Sequence, residues 1–224
     1  MSGKLFVVAT PIGNMDDVTI RAINTLKSVD IIFAETPAHS RRFLDYHNID
    51  KKPIKYNDYN HQSMIEYALN VAENSQSIAL ITDAGTPTIQ DPGYRLVKAF
   101  RDNNLEVVPI PGASAAITAL SASGLPTDKF LFLGFLPKGD IKKQNLLKSY
   151  DKDVTIIIYE SPKRILKTLS SIEKAFGSER FVVAAREITK IYEEFIEGSV
   201  HDVYENLSQR DSIKGEFVIL IKKA

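Results

Sequence analysis

Three short segments of this sequence have the make-up of ligand-holding loops. They are Thr10-Pro11-Ile12-Gly13-Asn14, Asp83-Ala84-Gly85-Thr86-Pro87 and Pro111-Gly112-Ala113-Ser114-Ala115, and each combines glycine and proline with a hydroxyl or carboxylate side chain. Glycine lets a ligand come close to the backbone. Hydroxyls, and the unpaired amides where a helix begins, supply hydrogen-bond donors. Each segment follows an apolar run that reads as a strand: Leu5 to Ala9, Ile78 to Ile81 and Glu106 to Ile110. Ligands of open α/β sheets bind beyond the carboxyl ends of strands. Any one of these loops, alone, is an ordinary turn; their shared placement is what points to a binding site. Glu35 stands at a similar point, after the run Ile31 to Ala34.

Several chemistries are disfavoured. No G-x-G-x-x-G follows the first strand and no G-x-x-x-x-G-K-[ST] occurs, which argues against a dinucleotide oxidoreductase and a P-loop NTPase. No G-x-S-x-G elbow supports a serine hydrolase. The four histidines form no close pair, so no metal site is expected. Cysteine is absent, which removes disulfides and thiolate ligands.

The elements that must position these loops alternate. Helical spacing marks Val18 to Val29, Arg41 to Tyr46, Met64 to Ala72 and a helix opened by Pro92-Gly93 that carries Leu96, Val97 and Phe100. Strands fit Leu5 to Ala9, Ile31 to Ala34, Ile54 to Tyr56, Ile78 to Ile81 and Glu106 to Ile110. Apolar strands separated by helices predict a mostly parallel sheet covered on both faces. The Pro109 to Gly112 stretch predicts a boundary, giving an N-terminal α/β domain over 1–111 and a C-terminal α/β domain over 112–224. In the second half a small-residue helix, Ala113 to Leu120, precedes strands at Phe130 to Phe135, Val154 to Tyr159, Phe181 to Ala185, Glu193 to Glu197 and Phe217 to Ile221. Helices fit Pro162 to Phe176 and His201 to Gln209, with Pro162 in a first turn. The strands at Phe181 and Glu193 leave no room for a helix between them, so they should be antiparallel neighbours in a mixed sheet.

The 224 residues hold 44% apolar and 25% charged side chains, as in an ordinary globular protein. No apolar run approaches the ~20 residues that span a bilayer, and the opening residues lack a signal-peptide layout; a cytoplasmic enzyme is expected. The 28 basic and 28 acidic residues cancel, which weighs against a dedicated nucleic-acid binder. Basic clusters at Arg41-Arg42, Lys51-Lys52, Lys142-Lys143 with Lys148, and Lys163-Arg164 with Lys167 read as solvated helix faces.

Ala9 to Asn14 with Asp17, Ala34-Glu35, Asp83 to Pro87, Asp91 to Val97 and Pro109 to Gly112 stand in the order of a known family. So do Ala119 to Pro126, Gly134 to Pro137, Tyr159 to Pro162, Ala185 to Lys190 and Lys214 to Glu216. The chain resembles, over nearly its whole length, the ribosomal RNA small-subunit cytidine 2′-O-methyltransferases of the tetrapyrrole-methylase superfamily. The resemblance implies a two-domain α/β fold with S-adenosyl-L-methionine (SAM) in the cleft between the domains, and a homodimer. It implies cofactor contacts at Pro11, Ile12, Thr82, Asp83, Ala84, Thr86, Ser114, Ala115, Tyr159 and Ala185. It also implies small-subunit rRNA as the substrate.

A ribose hydroxyl is a weak acid and benefits from a general base. Glu35 is the first candidate, ahead of Glu160, Glu187 and Lys190, while Arg41, Arg42 and Arg186 are candidates for holding phosphates. The chain departs from the family pattern in reading Thr36-Pro37-Ala38 where members carry an acid and an arginine. It also stops at Lys222-Lys223-Ala224, without the helix-turn-helix-like tail of many members. Two alternatives follow: a methyltransferase of tetrapyrrole-like small molecules, or a non-catalytic SAM-binding protein of the ribosome.

Overall fold

The computed structural model describes residues 2–150 and 153–223. The chain divides between Ser114 and Ala115 into two compact units.

The first unit carries β1 (Leu5–Val8), α1 (Ile20–Ser28), β2 (Ile31–Ala34), α2 (Pro37–Tyr46), β3 (Ile54–Lys55), α3 (His61–Glu73), β4 (Ile78–Ile81), α4 (Tyr94–Asp102) and β5 (Val107–Ile110). Its strands lie in the order β3-β2-β4-β1-β5, and all are parallel. The pleat of β4 explains why all four of its residues are buried. Ala79 and Ile81 face Ala22, Leu26, Val29, Phe43 and Leu44 of the α1–α2 layer. Ile78 and Leu80 face Ala68, Val71, Ala72, Leu96 and Phe100 of α3 and α4. A strand covered on both faces needs apolar residues throughout.

α1 is capped by Thr19, whose hydroxyl accepts from the Ala22 N–H at 3.1 Å. α2 begins four residues earlier than Arg41, because Pro37 presets the first helical turn. Thr36-Pro37-Ala38 is therefore a helix start. Gly93, at φ 137°, has no room for a side chain: a Cβ would lie 2.6 Å from Leu80 Cδ2 and 3.0 Å from Thr88 Cγ2. That close approach seats the start of α4 on β4.

The second unit carries α5 (Ala115–Ala122), β6 (Phe130–Phe135), α6 (Asp140–Ser149), β7 (Thr155–Glu160), α7 (Ile165–Phe176), β8 (Phe181–Arg186), β9 (Glu194–Ser199), α8 (Val200–Ser208) and β10 (Phe217–Ile221). The order is β6-β7-β10-β8-β9. Only the β6–β7 pair is parallel, and β8 and β9 are antiparallel neighbours as expected. Ile156, Ile158, Val182, Ala184, Ile219 and Ile221 pack with Ile165, Leu169 and Ile172 of α7 and Val203 and Leu207 of α8.

Three local expectations fail. Pro162 lies in a turn and not in α7, because the Ser161 carbonyl takes the Arg164 and Ile165 N–H groups and closes that turn first. α6 has no amphipathic signature in DIKKQNLLKS, yet it forms. Its Lys143 is 1% exposed and pairs with Asp140 at 3.1 Å, so this lysine is not on a solvated face. Arg164 is likewise engaged, donating to the Leu136 carbonyl at 2.6 Å.

Candidate active site

The strand order of the first unit explains the site. β2, β4, β1 and β5 are adjacent and run the same way, so the segments after them emerge side by side on one edge of the sheet. Those segments are Glu35-Thr36, the loop from Thr82, the loop from Thr10 and the loop from Pro111.

Hydrogen bonds tie these loops together. Thr10 and Gly85 exchange backbone bonds, Thr10 N–H to Gly85 O at 2.9 Å and Gly85 N–H to Thr10 O at 3.1 Å. The Thr10 hydroxyl donates to the Thr82 carbonyl at 3.2 Å. The Thr86 hydroxyl donates to the Ala113 carbonyl at 3.1 Å, joining the second loop to the third. At Gly112 a Cβ would stand 2.9 Å from Ala9 Cβ, so glycine lets the third loop close on the end of β1. Pro11 is buried, Ile12, Asp83 and Ser114 are half-buried, and Ala84 is exposed. Thr82 Oγ1 is buried with no partner at hydrogen-bonding distance among the described residues.

Glu35 and Asp83 hold each other's backbone. The Thr36 N–H donates to Asp83 Oδ1 at 3.1 Å, and the Asp83 N–H lies close enough to the Glu35 carboxylate to favour its charged form. The first bond uses only main chain at position 36, so the family's missing side chains there do not break it. Burial, and then the negative charges of Asp83 and Asp58, push the Glu35 carboxyl above its ordinary range, while the Asp83 N–H pulls it down.

Asp91 gave no functional signal in the sequence beyond its place in Asp91-Pro92-Gly93-Tyr94. Burial, then Glu35 and Asp83, raise its pKa to about 7. The Thr82 hydroxyl, close to the carboxyl, works against that rise. Among the described residues no three acids or histidines are grouped to hold a metal ion.

In the second unit, the Tyr159 hydroxyl accepts the Ala116 N–H at 3.1 Å, taking one of the free amides at the start of α5. Its ring packs edge-on against Phe132, with centroids 4.8 Å apart. Ala185 is wholly buried within β8, between β10 and β9.

The other proton-transfer candidates are committed to structure. Glu160, 1% exposed, accepts from Ser161 N–H at 2.8 Å and Thr168 Oγ1 at 2.6 Å, and pairs with Arg164 Nε at 3.3 Å. Lys190 Nζ bonds Glu187 Oε1 and Glu216 Oε2, each at 2.9 Å.

The arginines differ. Arg186 is paired with Glu194 and donates to the Lys214 carbonyl at 3.0 Å. Arg41 pairs with Asp45 at 2.7 Å. Arg42 is exposed and has no ion pair among the described residues.

A parallel α/β unit with ligand loops on its carboxyl edge, followed by a mixed-sheet unit, is the architecture of the tetrapyrrole-methylase class. The model for Tetrapyrrole (Corrin/Porphyrin) Methylases matches residues 4–204. Solved structures share the fold. Diphthine synthase superposes with a TM-score of 0.73 over 99% of this chain and 90% of its own, at 14% identity. Uroporphyrin-III C-methyltransferase from Thermus thermophilus, complexed with S-adenyl homocysteine, gives 0.66 over 97% of both chains, also at 14% identity.

Closer relatives are called ribosomal RNA small subunit methyltransferase I. The Pasteurella multocida protein is 44% identical over 224 residues, covering 99% of this chain and 80% of its own length. That of Escherichia coli O157:H7 is 41% identical over 222 residues, covering 98% and 78%. The chain belongs to the tetrapyrrole methylase family and, within it, to the ribosomal RNA small subunit methyltransferase I family. It is a SAM-dependent methyltransferase. The residues present fit the cofactor: the buried Thr82 hydroxyl, unpartnered among the described residues, the Asp83 carboxylate and Gly85 all belong to the segment that follows β4 at the carboxyl edge of the sheet.

Proposed function

We propose that this chain methylates the ribose 2′-hydroxyl of a cytidine in small-subunit ribosomal RNA, acting as a cytoplasmic homodimer on the small ribosomal subunit. The observation that carries the reading is the match, over 98–99% of this chain, to relatives named for methylating small-subunit ribosomal RNA, at 41–44% identity. The uroporphyrin-III C-methyltransferases of Thermus thermophilus are far more distant, at 13–18%. No helix among the described residues is long and apolar enough to cross a membrane.

When bound, SAM supplies a methyl group on a positively charged sulfur, open to in-line displacement; the protein's part is position and charge. In this reading Pro11 and Ile12 form one wall of the cofactor site. Thr82, Asp83, Ala84 and Thr86 bond its polar groups, and Ser114 and Ala115 offer backbone and hydroxyl donors. Tyr159 and Ala185 are the second unit's contacts. Glu35 accepts the ribose hydroxyl proton at a carboxylate oxygen, and the proton remains there until it is lost to solvent. A carboxylate pushed upward by burial and by neighbouring negative charges is a stronger base than an ordinary one. Arg42, without an ion pair among the described residues, is the cation for a phosphate, with Arg41 and Arg186 available only by giving up existing pairs.

The test is transfer of labelled methyl from SAM to small subunits purified from a strain lacking this protein, followed by mapping of the modified ribose. Label on one cytidine 2′-oxygen is expected. Label on a base, or on a porphyrinoid and not on subunits, would reject the reading.

A further inference from the structure

Glu35, Asp83 and Asp91 gather on the carboxyl edge of the first sheet, and the neighbouring charges that shift Glu35 and Asp91 are all negative. Like charges that share a partly buried site oppose one another's ionisation. Such a group of acids is costly unless something from outside supplies positive charge. A metal ion is a poor match, because the acids are not grouped as metal ligands. A larger organic cation does not need that convergence.

An independent feature points the same way. Thr82 Oγ1 is one of two buried side-chain oxygens with no partner among the described residues; the other, Ser40 Oγ, belongs to α2. Thr82 is 2% exposed, and its hydroxyl stands close enough to the Asp91 carboxyl to lower that group's pKa, though outside strict hydrogen-bond geometry. A buried hydroxyl left unmade costs about 1–3 kcal/mol, which a ligand group arriving at Asp91 would recover. Thr88 and Gln90, just before Asp91, sit at φ 76° and 66°. A β-branched residue there is strained.

We propose that Asp91, with Thr82 behind it and Glu35 and Asp83 beside it, forms a subsite for a positively charged group of the methyl donor. This rests on the SAM reading of the loops and adds a residue and a charge role to it. Two groups of SAM have the required chemistry, the sulfonium and the α-ammonium. In the free protein Asp91 titrates at about 7. A cation bound beside it favours the carboxylate, so binding expels a proton, and affinity rises as pH rises through the free value. The titratable and charged groups around it are Glu35 after β2, Asp83 after β4, Asp58 and Tyr56 before α3, His61 on α3 and Arg95 on α4. Arg95 is already engaged with His61.

Titration calorimetry on the full chain tests this, with SAM and with S-adenosylhomocysteine as probes, between about pH 6 and about pH 8. If only ionised Asp91 accepts the cation, SAM affinity rises about tenfold across that window. Asp91→Asn abolishes the rise. A parallel rise for S-adenosylhomocysteine assigns the subsite to the ammonium, which both ligands carry; a flat response assigns it to the sulfonium, which only SAM carries. Flat affinity for both ligands in the wild type, or a rise that survives Asp91→Asn, overturns the proposal. Failure of both ligands to bind overturns the cofactor reading of the loops instead. Should the variant not fold, wild-type titrations in two buffers of different ionisation heat read the expelled proton directly, and its absence rejects the subsite.

Discussion

The two units solve the same packing problem with opposite treatments of charge. In the second unit every half-buried acid in view has a partner. Glu160 has Arg164, Thr168 and a backbone amide; Glu194 has Arg186 and Arg210; Glu187 has Lys190. Glu187 and Glu194 are accordingly held below their ordinary range, against the effect of burial, by hydrogen bonds and positive charges from those partners. In the first unit Glu35 is pushed up by burial and then by Asp83 and Asp58, and Asp91 by burial and then by Glu35 and Asp83. Both units hold β-branched residues at left-handed φ, Thr88 in one and Thr189 in the other, so strain alone does not separate them. Charge compensation does. Paired acids fasten the second unit, while the uncompensated ones of the first are available for chemistry.

The sharpest break of that contrast is at Glu35. Removing a general base costs about 10²–10⁴ in rate, so Glu35→Ala is expected to lower single-turnover methyl transfer on small subunits by that order at saturating SAM. Because the carboxyl is raised, the wild-type rate should climb with pH as Glu35 loses its proton, and the variant should lack that limb. Equal rates in the two proteins would return Glu35 to a structural role.

The second contrast is structural. Thr168→Val leaves one oxygen of the buried Glu160 carboxylate unbonded, and the loss of a hydrogen bond to a charged group costs about 1.5–3 kcal/mol. Urea unfolding should report that destabilisation while SAM titration stays unchanged. If SAM affinity fell in step with stability, Glu160 would belong with the first unit's acids.

How much of this was legible beforehand follows from what each feature depends on. Strand-end loops announce themselves because glycine, proline and hydroxyls must sit next to apolar runs, and the strand order then makes neighbours of Thr10, Gly85 and Ala113. The parallel sheet was readable because a strand buried on both faces cannot alternate. Asp91 was not readable: its role depends on Glu35 and Asp83, far away in the sequence, and on a hydroxyl whose missing partner is a three-dimensional fact. The same limit applies to Glu160, Glu187 and Lys190. Residue type marks each as able to move a proton, and only the partners show that they are committed elsewhere. Lys143 and Arg164 were misread for that reason too, since basic residues default to solvent until an acid or carbonyl is placed beside them.

Asp91 also sharpens the contrast through stability. Its folded value, about 7, lies above the ordinary 3.8. The folded state therefore binds that proton more tightly than the unfolded chain, and the carboxyl's contribution falls as pH rises from the lower value to the upper. Asp91→Asn keeps a neutral group at all pH values. It should approach the wild type as pH falls below about 4, and exceed its melting temperature increasingly up to about pH 8, each kcal/mol being worth about 2–4 °C in a chain of this size. A loss of melting temperature at both pH values would mean that the carboxylate has a cationic partner in the fold.

The smallest expected effect compares a free arginine with a bound one. Arg42 is exposed on α2 without an ion pair among the described residues, whereas Arg186 is locked to Glu194 and to the Lys214 carbonyl. A cation that neutralises a phosphate displaces counterions, so losing it weakens binding and reduces the salt dependence by about one unit of slope. Arg42→Ala should therefore lower affinity for small subunits several-fold at low salt and flatten the dependence on salt concentration. Arg186→Ala should leave that slope alone and instead loosen the turn between β8 and β9, seen as faster amide exchange around residues 187–193. Reversed results would mean that the rRNA draws Arg186 out of its pair, and that an ion pair in the free protein is then no guide to which cations the substrate uses.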